Sequence, residues 1–287
     1  MTKGIVDFNY HKYTYQSNSL IIGMSRARAG IVPNILEKEL SFEISRPFLN
    51  FAFERTQSEY GKTYLNAIKQ KIDTTKYNGL FILSVSPGSF LISNNFGSNV
   101  PKDIDNHTIL GKMTEFNISP NLEYVRKCYQ NSLYRGFIKP HINHTIHTNG
   151  WIEFKDSNSI SEHRIHSLLN ETINGYELGI KRMKPSKYRL DYFEKTISYL
   201  KKYGVVVIVR LPIDQLFFNY ELNYWNTFDE TIIEISERQN IKYLNYSKQS
   251  DLYKTYDGSH LYGDSAKKFT KLLCDDIKKH QERNNYK

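Results

Sequence analysis

Five short apolar runs, alternating with segments of helical spacing, limit this chain more than any other feature. The runs are Ser19 to Gly23 (SLIIG), Pro47 to Phe53 (PFLNFAF), Gly79 to Val85 (GLFILSV), Val205 to Arg210 (VVVIVR) and Ile241 to Tyr246 (IKYLNY). Between and after them, apolar residues recur at helical spacing in Ala29 to Leu40, Tyr60 to Ile72, Leu190 to Tyr203, Glu221 to Gln239 and Gly263 to His280. Short apolar strands that alternate with helices form a parallel sheet covered on both sides. The expectation is an α/β fold, a three-layer α/β/α doubly wound parallel five-stranded sheet, built by residues 1–287 as one domain. With 287 residues, 39% of them hydrophobic, the chain is long enough to bury such a core.

The alternation lapses from Ser86 to about Tyr188. Asn121 to Tyr134 has a helical pattern, and Thr145 to Phe154 (TIHTNGWIEF) reads as a hairpin because Asn149-Gly150 suits a type I′ turn. The remainder is polar and irregular, and too long for a simple crossover. Residues 86–188 are therefore read as an insertion after strand three that forms a cap or rim over a site. Its aromatic and basic side chains, Trp151 and Arg135 first, are expected to line a groove. His141, His144 and His147 carry no carboxylate among them, and Pro140 with the β-branched neighbours disfavours a helix that would align them, so no metal centre is expected. Cys128 and Cys274 allow at most one bridge and exclude a disulfide framework or a multi-cysteine metal site.

Thirty-nine Lys and Arg against 30 Asp and Glu give a net charge of +9. The basic residues are scattered and no nucleic-acid motif accompanies them, so nucleic acid is not an expected partner. No run approaches the roughly 18 to 20 apolar residues of a membrane helix, and Met1 to Ser17 lacks the apolar region and cleavage site of a signal peptide. As given, the chain reads as soluble.

In a doubly wound sheet the site lies at the carboxyl ends of the strands. The first such loop holds Gly23-Met24-Ser25, a serine directly after strand one and near a helix start, where backbone amides point outward and stabilise an oxyanion. The last holds Asp257-Gly258-Ser259-His260. An Asp three residues before a His fixes the imidazole tautomer, and the other ring nitrogen then faces a serine hydroxyl. Alone, Ser25 reads as a helix cap and Asp257-Gly258 as a turn. Together, on the first and last loops of one sheet, they read as nucleophile, base and orienting carboxylate. Asn50 at the end of strand two and the Ser86 to Ser89 segment after strand three fall at the same rim. Arg26 and Arg28, which flank Ser25, and Trp151 are expected substrate contacts.

With these motifs in this order, the sequence resembles the SGNH (GDSL-type) hydrolase superfamily, whose sheet is flavodoxin-like. The resemblance implies that Ser25 is the nucleophile, His260 the general base and acid, and Asp257 its orienting partner, with no cofactor. The implied activity is that of a serine-dependent esterase or O-acyltransferase working through an acyl-serine intermediate. The pieces Leu20 to Pro33 (LIIGMSRARAGIVP) and Tyr256 to Leu273 (YDGSHLYGDSAKKFTKLL) are similar to a bacterial branch that includes proteins of cell-surface polysaccharide and teichoic-acid acylation. That branch implies an acylated small molecule or glycan as substrate, a membrane-bound O-acyltransferase as partner and an extracytoplasmic, membrane-associated setting. The middle motifs depart from the superfamily pattern. It places an oxyanion-hole glycine after strand two and an asparagine after strand three, whereas this chain has Asn50 to Arg55 (NFAFER) and Ser84 to Ser89 (SVSPGS), so by this resemblance Asn50 and Ser86 of the Ser86 to Ser89 segment are the expected partners of the Ser25 amide in the hole. The departure motivates a second expectation, a non-catalytic SGNH-like binding or assembly protein of the same pathway.

Overall fold

Each of the five apolar runs forms a strand: β1 (Ser19–Ile22), β2 (Phe48–Asn50), β3 (Gly79–Ser84), β4 (Gly204–Arg210) and β5 (Lys242–Asn245). They pair in parallel in the order β2-β1-β3-β4-β5. The structure is a computed structural model and describes residues 7–40, 43–54, 56–97, 100–129, 144–155 and 162–285. The helices that build or border the sheet are α1 (Ser25–Gly30), α2 (Pro33–Glu39), α3 (Lys62–Lys71), α4 (Glu162–Arg182), α5 (Lys187–Leu200), α6 (Gln215–Tyr224), α7 (Phe228–Arg238) and α8 (Gly263–Asn285).

Alternate strand residues point to opposite faces, and both faces are apolar. Leu20, Ile22, Phe81, Leu83 and Ile208 enter one core with α3, α5 and α7. Ile21, Ile82, Val207 and Val209 enter the other with α1, α2 and α8. This is the expected three-layer α/β/α arrangement, in which each fully buried Leu, Ile or Phe contributes roughly 1.5 to 3 kcal/mol of transfer free energy. Strand order reverses at β1, whose chain neighbours β2 and β3 lie on opposite sides of it. A crevice therefore opens beyond the carboxyl ends of β1 and β3.

Several expected elements differ in detail. The helix expected over Ala29 to Leu40 is two helices, because Pro33 cannot donate to the preceding turn and holds Val32 extended (φ −101°, ψ 106°). The helix expected over Glu221 to Gln239 is also two, α6 and α7, separated at Trp225 to Thr227. The Asn121 to Tyr134 segment contributes a helix at Leu122–Lys127; residues 130–134 lie outside the described residues. The insertion expected to be largely irregular contains α4, 21 residues long. Its hairpin pairs His144–Ile146 with Ile152–Phe154. The tip is not a type I′ turn, because Gly150 has a positive φ (+84°) and Asn149 does not.

The described residues of 86–188 divide around the sheet. The hairpin lies against β2 and α1, where the Asn50 amide donates to the Asn149 carbonyl at 2.8 Å. Glu37 accepts from the Phe48 amide at 2.7 Å, so side-chain and loop partners occupy the outer edge of β2. On the other side α4 packs on α6, with Leu169, Ile173 and Tyr176 against Phe217. Buried Arg189 of α5 anchors the connecting loops through both oxygens of Asp105, at 2.7 and 2.8 Å, and through Glu59 at 2.9 Å. Cys128 and Cys274 are separate free thiols. Among the described residues, no helix is long and apolar enough to cross a membrane.

Candidate active site

The turn after β1 is held by groups from four other segments. Gly23 has φ +145°, and a Cβ there would lie 2.8 Å from the Ser84 Cβ, so the chain crosses β3 only as glycine. The Gly23 amide donates to Tyr64 Oη at 3.0 Å, and its carbonyl accepts from Ser58 Oγ at 2.8 Å and the Phe53 amide at 3.2 Å. Ser25 then opens α1.

Helix α1 has six residues, too few to hold itself in water. Its carbonyls are met from outside. Asn50 Nδ2 donates to the Ala27 and Ile31 carbonyls, each at 3.0 Å, and Trp151 Nε1 donates to the Ala29 carbonyl at 2.8 Å. Two expectations are thereby corrected. Asn50 is fully buried, and its Oδ1 accepts from the Ala52 amide at 3.3 Å, so both ends of its amide serve the backbone and it lines no oxyanion hole. Trp151 belongs to the core beneath α1 and does not border the Ser25 cavity. The hairpin acts on the site by supporting the helix that Ser25 opens.

The last loop is built as locally as the first. Asp257 Oδ1 accepts from the Ser259 and His260 amides at 2.9 and 2.8 Å, which folds the loop around the carboxylate. Gly258 takes φ +79°, and its carbonyl accepts from the Asp214 amide at the start of α6 at 3.0 Å. A Cβ on Gly258 would come within 2.0 Å of Phe217. Gly258→Ala should therefore cost about 1 to 3 kcal/mol of stability and displace His260, to be checked by thermal unfolding together with reaction at Ser25.

These two loops bring the three expected catalytic residues into one line. His260 Nδ1 lies 2.7 Å from Asp257 Oδ2, and His260 Nε2 lies 2.7 Å from Ser25 Oγ. Burial works to raise the Asp257 carboxyl, but the His260 imidazole and the two amides outweigh it and hold Asp257 below the ordinary aspartate value. An ionised Asp257 only accepts, so Nδ1 carries the imidazole proton and Nε2 presents its lone pair to the Ser25 hydroxyl. The ring is stacked on Tyr256, with centroids 5.5 Å apart and planes at 22°.

Ser25 opens into a cavity of about 250 Å³ in the crevice between β1 and β3. Its walls include Ser86 and Ser89 after β3, Tyr176 of α4, and Glu221 and Tyr224 of α6. Ser86 borders the cavity, but its amide donates to Ser89 Oγ at 3.2 Å within its own turn and is not free to serve the expected oxyanion hole. Arg26 also borders the cavity, but all three guanidinium nitrogens have partners. Nε donates to Ser259 Oγ at 2.9 Å, Nη1 pairs with Glu221 at 2.8 Å and Nη2 donates to Tyr176 Oη. Glu221 in turn accepts from Arg210 at 2.7 Å. Sequence reading missed this chain, whose members lie far apart in the sequence. Arg26 joins α1, the Asp257 to His260 loop, the insertion and α6, and its charge is neutralised inside the protein. Arg28 does not border the cavity and forms an ion pair with Glu54; burial lowers it to about 10.

Of the three histidines that were not expected to form a metal centre, His141 lies outside the described residues, as does Arg135, the other side chain expected to line the groove. His147 is bonded to Glu153 at 3.0 Å and stacked on Trp151. Among the described residues, no group of three His, Cys, Asp or Glu side chains converges on a point. The sequence matches no protein-family model and no curated protein.

Proposed function

We propose that this protein is a serine esterase or O-acyltransferase that works through an acyl-serine intermediate, in the manner of the SGNH hydrolases it resembles. The observation that carries the proposal is the hydrogen-bond line from Asp257 through His260 to Ser25, 2.7 Å at each link, opening into a cavity at the switch point of the sheet. In this reaction Ser25 Oγ bonds to an ester carbonyl carbon while its proton passes to His260 Nε2. The carbonyl electron pair moves onto its oxygen. On collapse the bond from that carbon to the leaving alkoxy oxygen breaks, and the alcohol departs with the proton from Nε2. Water or a sugar hydroxyl then gives its proton to His260 and attacks the acyl carbon, and Ser25 recovers its proton as it leaves.

Asp257 stays ionised and stabilises the imidazolium formed in each half. Negative charge on the tetrahedral oxygen falls to the Ser25 amide, which has no acceptor within its own helix. A glycan acceptor, a membrane-bound acyltransferase partner and an extracytoplasmic setting enter the proposal through the resemblance of Leu20 to Pro33 and Tyr256 to Leu273 alone.

A fluorophosphonate probe, which phosphonylates an activated serine, tests the proposal. One covalent label on Ser25 is expected, absent in Ser25→Ala and strongly reduced in His260→Ala. Folded protein that takes no label would favour the non-catalytic binding role instead.

A further inference from the structure

Helix α4 forms one wall of the Ser25 cavity through Thr172, Gly175 and Tyr176, and its glycines 175 and 179 differ in what they meet. Thr172, Gly175, Tyr176 and Gly179 share one face of the helix by their spacing. A Cβ on Gly179 would come within 1.5 Å of Tyr224 Oη, so a side chain there would have to displace the Tyr224 ring of α6. Gly175, one turn earlier, borders the cavity, and a Cβ there would meet nothing within 4 Å. Packing thus gives no reason for a glycine inside this helix, where it costs about 1 kcal/mol relative to alanine. Its effect is to leave bare backbone at the cavity wall.

We propose that this cavity receives the acyl chain, and that Gly175 sets its length, so that the protein acts on esters of short, uncharged acyl groups of about two to six carbons. This inference rests on the reading of Ser25 as nucleophile. The size follows from the volume: about 250 Å³, at roughly 30 Å³ per water-sized group, holds on the order of eight non-hydrogen atoms. Absence of charge follows from the electrostatics. Arg26 and Glu221, the Arg and Glu that border the cavity, neutralise each other, and each already has a further partner. A terminal carboxylate on the chain would lose its water without gaining a free cation. The acylation step is the one already described: the Ser25 Oγ–acyl bond forms, the ester carbon–alkoxy bond breaks, and the alcohol leaves with the proton that His260 accepted.

The test uses 4-nitrophenyl acetate, butyrate, octanoate and succinate, with acyl-adduct formation followed by intact-protein mass. Wild type should acylate with acetate and butyrate at least about tenfold faster than with octanoate or succinate. Gly175→Phe, which places a ring against the cavity, should lower the butyrate-to-acetate ratio about tenfold. Gly175→Ala, with its better helix former, should raise the thermal midpoint and shift the ratio less, which separates pocket size from folding. An unchanged ratio in Gly175→Phe, or octanoate as fast as butyrate in wild type, overturns the inference while leaving Ser25 as nucleophile. No adduct from any ester in wild type overturns the nucleophile assignment and the inference with it.

Discussion

Ser25→Ala should abolish ester turnover, a loss of roughly 10⁴ to 10⁶, with no loss of thermal stability. The hydroxyl makes one short bond, to His260 Nε2, and the turn around it is held by Gly23, Ser58 and Tyr64. Removing it takes away the attacking atom and leaves the scaffold. His260→Ala should cost nearly as much, because the three residues act as a unit. Asp257→Asn should cost somewhat less, about 10⁴, since an amide in place of the carboxylate no longer requires the proton to sit on Nδ1. Steady-state release of 4-nitrophenol beside thermal unfolding checks all three. Hydrolysis that survives unchanged in Ser25→Ala would place the chemistry elsewhere.

The second large effect is on stability. Glu221 is 3% exposed and lies between Arg26 and Arg210, at 2.8 and 2.7 Å, while Arg210 is also paired with Asp229. Glu221→Ala leaves two arginines facing each other without their shared carboxylate. The expected cost is about 3 to 5 kcal/mol, because breaking a buried ion pair strands charge in a low-dielectric interior. At roughly 2 to 4 °C per kcal/mol for a domain of this order of size, the thermal midpoint should fall by about 10 °C or more. Activity should fall with it, since Arg26 would lose one of the partners that join α1 to α6. Glu221→Gln keeps the shape and the hydrogen-bond acceptor and should fall between the two. If Glu221→Ala unfolds within about 1 kcal/mol of wild type, the chain of charges is not what fixes this corner of the site.

The sheet was legible because its signals are local. Strands apolar on both faces, such as Gly79 to Val85 and Val205 to Arg210, have few folds open to them. The line from Ser25 through His260 to Asp257 was legible for the same reason. Gly23 and Gly258 supply the backbone freedom each loop needs within three residues of the side chains they place, and Asp257 folds its own loop. What surrounds that line depends on contacts between distant segments. Asn50 has the right residue type and strand end for an oxyanion donor, but the short helix α1 leaves carbonyls that its amide satisfies first. Trp151 has the right type for a sugar platform, but its indole N–H meets the Ala29 carbonyl and its ring fills the core. Helix α4 had an apolar stripe in Leu169, Ile173 and Tyr176, but polar neighbours and two glycines obscured its period, and its partner Phe217 lies beyond β4.

The central claim is that Ser25 becomes acylated, and peptide mapping after acid quench of a reaction with 4-nitrophenyl acetate measures this directly. The predicted result is an acetyl group on the peptide that carries Ser25, with an initial release of about one 4-nitrophenol per protein molecule, both absent in Ser25→Ala. Acetyl groups confined to lysines or other residues, or an equal burst from Ser25→Ala, would contradict it.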